Sequence, residues 1–289
     1  MYKENDERLK KLLGGCYEVK KNLGKGGMGS VYQVYHPIDR HYYAAKIINN
    51  NELTNGKEEA EILKRLSHPM LPKIREYFTY DAFTIIVMEY IQGSTMEEYI
   101  RRNGPTGNKQ AIMFLRQLTD VLLYLHSQEP PIIYRDLKPA NIMVEEGQKL
   151  RLIDFGTARR YKNEMSHDTM ALGTPGYAAP EQLMGSAQSD IRTDIYALGA
   201  TMYYIVTGID IGKPPFEAAS IQTVRTGIMP YLEEIIFRCL QKNPKSRFQS
   251  ITELLCELDC NEYAGKKKRE KNYNAINIII THSNKSIVL

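Results

Sequence analysis

The chain has 289 residues, 43% of them apolar and 25% charged, which rules out a disordered or fibrous sequence and leaves room for a substantial core. That length suits one two-lobed domain or two small ones. The formal net charge of +4 argues only weakly for anionic partners and gives no reason to expect nucleic acid. The cysteines Cys16, Cys239, Cys256 and Cys260 contain no C-x-x-C pair. Cys256 and Cys260 stand four apart without a second pair or a nearby His, so free thiols in a reducing cytosol are expected and not a zinc site. The opening MYKENDERLKKLLGG is charged and lacks the apolar core of a secretory signal. No apolar stretch reaches bilayer-spanning length; Ala275 to Ile280 is far too short.

In chain order, Asp6 to Leu13 predicts a short charged helix ended by Gly14-Gly15, a packing or capping segment in an extension (residues 1–16) outside the folded domain. Strand patterning begins at Tyr17-Glu18-Val19. A glycine-rich turn follows, then strands over Val31 to Tyr35 and His41 to Ile48. Lys57 to Leu66 predicts a helix with Glu59, Ile62, Leu63 and Leu66 on one face, closed by Ser67-His68-Pro69. Lys73 to Phe78 and Phe83 to Met88 complete an antiparallel meander, and residues 89–93 form a connector. Beyond it the pattern turns helical: Met96 to Arg102, then Lys109 to His126 with Ile112, Leu115, Leu118, Leu122 and Leu125 as its stripe. Two short strands, Ile142 to Val144 and Leu150 to Leu152, flank Gly147. Residues 157–178 predict a long functional loop. Ile191 to Gly208, Pro230 to Gln241 and Ser250 to Leu258 predict further helices. The tail, residues 260–289, carries Lys266-Lys267-Lys268-Arg269 and a polar, Asn-rich run, and predicts a solvated, flexible extension. Weak contact of that tail with an anionic membrane surface is the sharper reading.

The chemistry-bearing stretch is Tyr134-Arg135-Asp136-Leu137-Lys138-Pro139-Ala140-Asn141. Alone, R-D-x-x-x-x-N is a weak signal. Asp154-Phe155-Gly156 and Ala179-Pro180-Glu181 follow it, and Gly24-Lys25-Gly26-Gly27-Met28-Gly29-Ser30-Val31 and Ala44-Ala45-Lys46 precede it. A dinucleotide fold uses the same G-x-G-x-x-G string, but there it opens a helix, whereas here Val31 opens a strand. In this order the motifs resemble eukaryotic-type serine/threonine protein kinases of the bacterial kind, over residues 17–259.

The resemblance implies an α+β bilobal fold: a small N-lobe (17–90) with a five-stranded antiparallel sheet and one main helix, the connector, and a larger, mainly helical C-lobe (94–259). It implies ATP and Mg²⁺ as cofactors. Asp136 would be the catalytic base or hydroxyl-positioning group, and Lys138 would offset charge on the moving phosphoryl group. Asn141 and Asp154 would hold the metal. Lys46 would contact the α- and β-phosphates and pair with a helix glutamate; Glu58, Glu59 and Glu61 are candidates, and Glu59 is preferred because it opens the apolar face. The phosphates would lie under Gly24, Gly26 and Gly29, and the adenine among Leu23, Val31, Ala44, Met88 and Met143, with Ile153 behind. The carbonyl of Glu89 and the N–H of Ile91 would meet the adenine edge.

Lys138 with Thr174 resembles the serine/threonine-specific class. Tyr134 stands where the family usually has His, and is expected to stack in a column with Phe155, Leu63 and Ile74. Glu181 with Arg247 matches a buried ion pair, and Asp194 matches the residue that receives catalytic-loop N–H groups. Arg135 and Arg159 would form a cationic pocket for a self-added phosphate at Thr169 or Ser166. Protein substrates with Ser/Thr acceptors and a cytoplasmic location follow. A nucleotide-binding scaffold without transfer, or a kinase for small molecules, are the alternatives; the full motif set and the Ala179-Pro180-Glu181 segment oppose them.

Overall fold

The computed structural model describes residues 11–26, 29–50, 56–161, 173–184, 189–214, 217–265 and 267. Thr169, Ser166, most of the predicted 6–13 helix and nearly all of the basic run lie outside them.

The N-terminal half is built on β1 (Glu18–Gly26), β2 (Gly29–His36), β3 (His41–Asn49), β4 (Ile74–Tyr80) and β5 (Phe83–Glu89). They form one five-stranded sheet in the order β1-β2-β3-β5-β4, every neighbour antiparallel. β1 does not stop at Val19: pairing continues through Gly24↔Val31 to Gly26↔Gly29, so the glycine-rich segment is the end of a hairpin. Strand alternation divides β3 between two faces. Ala45 and Ile47 join Val34, Ile85 and Val87 in one cluster, capped by Leu12, Leu13 and Tyr17. Leu12 and Leu13 therefore pack over the sheet, with Leu13 only 1% exposed. Ala44, Lys46 and Ile48 share the other face; Ile48 and Ile86 cluster there with Ala60 of α1 (Gly56–Arg65). α1 has Glu58 and Glu59 in its first turn and Lys64 and Arg65 in its last, which complements its dipole.

The C-terminal half is mainly helical. α2 (Met96–Asn103) starts at a capping box in which Thr95 and Glu98 satisfy each other's backbone N–H, a device worth about 1 kcal/mol. α3 (Asn108–His126) and α5 (Ile191–Thr207) form the centre, and α5 ends at Gly208 in the left-handed conformation. Around them lie α4 (Pro180–Met184), α6 (Ile221–Val224), α7 (Pro230–Cys239) and α8 (residues 251–265). α8 runs past the predicted end at Leu258. Arg116 of α3 binds Asp259 and Glu262 of α8, anchoring the extra turns. Short strands carry the chemistry-bearing loops: β6 (Ser94–Thr95), β8 (Ile142–Val144) and β9 (Leu150–Leu152) form one sheet, and β7 (Ile132–Ile133) pairs with β10 (Arg159–Arg160). One continuous core runs from Ile62 and Leu63 of α1 through α3 and α5 to Leu258, so both halves share packing.

Candidate active site

Lys46 occupies the cleft-facing row of β3, 4% exposed. Its Nζ donates to Glu59 Oε1 and Oε2 at 2.7 and 2.8 Å and to Asp154 Oδ1 at 2.7 Å. Of the three candidate glutamates only Glu59 is buried; Glu58 is exposed and Glu61 intermediate. One cation thus serves two carboxylates. Burial opposes the charge on Lys46, but the two carboxylates outweigh it and its pKa lies above the ordinary value. Burial also opposes the charge on Asp154, and there Lys46 and the Gly156 N–H prevail, so that carboxyl lies below its usual range. For Glu59 burial wins, helped by the negative charge of Asp154, and the carboxyl lies above its usual range.

Tyr134 is fully buried, 5.0 Å from Phe155 between ring centroids at 69°, an edge contact worth about 0.5–1.5 kcal/mol. Leu63 lies in the same core cluster and Ile74 packs against that cluster. The Tyr134 hydroxyl donates to Ile153 O at 2.5 Å, steadying the backbone just before Asp154. Asp154 and Arg135 both hold positive φ (70° and 67°), which costs a non-glycine residue energy and persists only where surrounding contacts over-determine it.

Those contacts are dense. Asp194 of α5 accepts from Tyr134 N at 2.9 Å and Arg135 N at 2.7 Å, and His126 Nε2 lies 2.9 Å from the same carboxylate. Thr157 and Thr201 donate to the carbonyls of Tyr134 and Leu137, and Gln182 to that of Arg135. Thr157, Gln182 and Thr201 escape sequence reading, because backbone carbonyls far along the chain leave no spacing pattern, and His126 escapes it because its carboxylate partner lies 68 residues away.

Within this frame Asp136 is a junction. Its Oδ1 accepts from Thr174 Oγ1 at 3.1 Å, and its Oδ2 from Asn141 Nδ2 at 2.8 Å. Lys138 Nζ lies 2.8 Å from Oδ2 and donates to Thr174 Oγ1 at 2.7 Å. Thr174 reaches this point because the segment after it packs tightly: a Cβ on Gly176, at φ 82°, would meet Ile211 O at 2.3 Å. A cavity of about 160 Å³ opens beside Thr174 and Lys138, walled also by Glu97, Pro139, Ala140, Tyr177, Tyr204 and Asp210.

The metal candidates fit a hard cation. Asn141 spends its amide N–H on Asp136, which leaves the amide oxygen as acceptor, and Asp154 engages Lys46 and Gly156 through Oδ1. Mg²⁺ takes oxygen donors and retains several waters, so two protein oxygens suffice. Among the described residues no group of three or more His, Cys, Asp or Glu could hold a metal, and all four cysteines are free.

Three of the nucleotide candidates share the sheet face of Lys46. Strand register puts Val31 opposite Lys46 and Ala44 opposite Met88, one row apart on the cleft face. Ala44 and Ile91 are buried, Val31, Met88, Met143 and Ile153 are intermediate, and Leu23 is exposed at the rim. The glycines divide: a Cβ on Gly24 or Gly26 would meet no protein atom, whereas one on Gly29, at φ 145°, would strike Ile47 O at 2.3 Å. Gly29 is thus required by the sheet itself, whatever lies under the hairpin. Arg159 pairs with Ile133, which brings it beside the strand leading into Arg135. Arg135 is 4% exposed and donates from Nε to Thr157 O at 2.6 Å.

In the C-terminal half Arg247, 1% exposed, binds both Glu181 oxygens at 2.7 and 2.8 Å and the carbonyls of Arg192, Gln241 and Lys242. Among the described residues no helix is long and apolar enough to cross a membrane.

Residues 17–261 match the protein kinase domain family. A probable serine/threonine-protein kinase of Clostridium perfringens is 31% identical over 267 residues, covering 86% of this chain and 38% of that protein. Serine/threonine-protein kinase PrkC of Bacillus subtilis is 28% identical over 270 residues, 86% of this chain and 41% of its own length. Serine/threonine-protein kinase PknB of Mycolicibacterium smegmatis is 30% identical over 276 residues, 85% and 43%. The chain spans less than half the length of these relatives. The α+β bilobal fold, the ordered motifs and the match over most of the length agree, and the chain belongs to the protein kinase domain family.

Proposed function

We propose that the chain is a protein serine/threonine kinase, moving the γ-phosphoryl group of ATP to Ser and Thr hydroxyls of protein substrates. The observation that carries this reading is the junction at Asp136, where Thr174, Lys138 and Asn141 meet one carboxylate. Mg²⁺-bound ATP supplies an activated phosphoryl group, and the protein's task is positioning and charge stabilisation. Asp136 takes the acceptor proton as the acceptor oxygen bonds to phosphorus and ADP leaves. Lys138, held beside it, offsets charge on the phosphoryl oxygens. Asn141 and Asp154 hold Mg²⁺, and Lys46, fixed by Glu59, binds the α- and β-phosphates. Gly24, Gly26 and Gly29 border the phosphates. Leu23, Val31, Ala44, Met88 and Met143 enclose the adenine with Ile153 behind, and Glu89 O and Ile91 N meet its edge. The relatives' names support the same activity.

Free thiols and dependence on ATP fit a cytoplasmic setting. Self-phosphorylation at Thr169 or Ser166 is part of the reading: Arg159 is placed beside the strand leading into Arg135, and guanidinium groups are the usual partners of phosphate. Weak contact of the basic tail with an anionic membrane surface is a further element of it.

The test is incubation with labelled ATP and Mg²⁺, with and without a generic basic protein, beside Asp136→Asn. We expect label on serine and threonine, and a turnover about 10²–10⁴-fold lower in the variant at unchanged ATP affinity. A thermal shift with ATP but no transfer by the wild type would favour the scaffold reading. Mainly phosphotyrosine would overturn the specificity.

A further inference from the structure

Arg151 is out of character with its strand. It stands between Leu150 and Leu152, which are 1% and 0% exposed, and alternation sends its side chain to the opposite face. There the guanidinium forks onto the carboxylate of Glu89: Nη1 to Oε1 at 3.1 Å and Nη2 to Oε2 at 2.5 Å. Nη2 also donates to Leu71 O at 3.2 Å, and Nη1 lies 3.5 Å from Glu145 Oε2. The side chain is 12% exposed, and its Nε is buried with no hydrogen-bond partner, so the fork faces Glu89 at the expense of one donor. Glu89 answers from its own side: its Oε2 accepts from Lys73 N at 3.3 Å and its N–H donates to Lys73 O at 2.9 Å. Burial would raise the Glu89 carboxyl, but the hydrogen bonds and charge of Arg151 outweigh it, and the group lies below its usual range.

Three segments therefore meet at one pair: the turn before β4, the end of β5 entering the connector, and β9, which delivers Asp154 three residues later. If the cleft binds ATP as proposed, Glu89 touches the adenine end and Asp154 the triphosphate end. Arg151 touches neither, yet it is bonded to the first and sits on the strand that carries the second.

We infer that Arg151 is a positioning residue for the nucleotide, fixing through Glu89 the adenine-facing connector relative to the strand that carries Asp154. A bidentate fork sets orientation as well as distance, which a point charge does not. Without it the Glu89 carboxylate, 35% exposed, has solvent as its better partner, and the connector carbonyl and N–H lose their register with the rest of the cleft.

The test compares Arg151→Met and Arg151→Lys with wild type in KM for ATP, KM for protein substrate, kcat, ADP dissociation constant and melting curve. We expect Arg151→Met to raise KM for ATP and the ADP dissociation constant together, roughly five- to twentyfold, at or below the scale of a lost charged hydrogen bond because Arg151 acts through Glu89. KM for protein should hold and kcat should stay within about twofold. Arg151→Lys should recover part of the loss. An unchanged nucleotide affinity in a folded Arg151→Met, or a change confined to kcat or melting temperature, overturns the inference. Should Arg151→Met fail to fold, Glu89→Gln, which keeps the shape and removes the charge, gives the same decision. ADP binding is read without turnover, so a wild type that binds ADP but transfers no phosphate would sink the kinase reading and still leave Arg151 testable.

Discussion

Two ion pairs of the same kind do different work in the two halves. Arg247 with Glu181 and Lys46 with Glu59 are both bidentate, both made by a cation under 5% exposed. Arg247 is saturated: its remaining donors go to backbone carbonyls of the same half, and its guanidinium lies over the Tyr196 ring at 5.0 Å. Lys46 is shared: its third bond crosses to Asp154, whose side chain is 37% exposed. The first pair has no donor left over and ties Glu181 to the backbone at Arg192, Gln241 and Lys242. The second joins a strand, a helix and the metal candidate, so it exists only when those three are aligned. Charge placed against carbonyls of one half stabilises a fold; charge divided between carboxylates on different elements reports an arrangement.

Breaking the shared pair should have the larger effect on activity. Lys46→Met removes the group that bonds both Glu59 and Asp154 and is proposed to bind the phosphates, and we expect transfer to fall at least about 10³-fold, on the scale of losing an electrostatic catalytic donor. The variant should still give a cooperative melt. Residual activity above about a tenth of wild type in a labelled-ATP assay would show that Lys46 does not serve the reaction.

Breaking the saturated pair should act on stability instead. Glu181→Gln strands a buried guanidinium, at a cost of about 3–5 kcal/mol. Chemical denaturation should show an earlier midpoint at unchanged slope. The folded fraction should retain its nucleotide affinity, because neither residue nears the cleft. A variant as stable as wild type would mean that the carbonyls alone satisfy Arg247.

The sequence made the local part of this legible. Asp136, Lys138, Asn141, Asp154 and Lys46 sit in short strings whose order carries the fold, and α1 periodicity singled out Glu59. What was not legible depends on distant backbone. Thr157, Gln182 and Thr201 hold carbonyls of the catalytic loop from 23, 47 and 64 residues away, and such acceptors have no side-chain signature. The glycine-rich stretch read as a turn, since its pairing with β2 uses main chain only. Leu12 and Leu13 read as part of a packing or capping helix; the surface they cover is an apolar outer sheet face that no short window reveals. Arg151 did leave a trace, a charge inside a three-residue apolar strand, which is costly unless a partner waits across the cleft.

The smallest effect is a pH dependence that separates the two carboxylates of Lys46. In wild type the Asp154 carboxyl lies below its unfolded value, near 3.9. Its stabilising contribution is complete above that pH and is lost as pH falls through the folded value. The Glu59 carboxyl lies above its unfolded value, near 4.3, so its contribution is complete below that pH and is lost as pH rises through the folded value. The two oppose each other in wild type. Lys46→Met removes the cation that bonds both of them, and both carboxyls then shift upward by burial and mutual repulsion. The sign of Asp154 reverses and adds to that of Glu59. The melting-temperature deficit of Lys46→Met should therefore be largest near neutral pH and shrink as pH approaches about 4, where both groups take up protons. Arg247→Met offers the contrast, since its guanidinium contacts are mostly to carbonyls that do not titrate. A deficit for Lys46→Met that stays constant from neutral pH down to about 4 would show that the two carboxylates already find other partners, and that the shared lysine is not what keeps them charged.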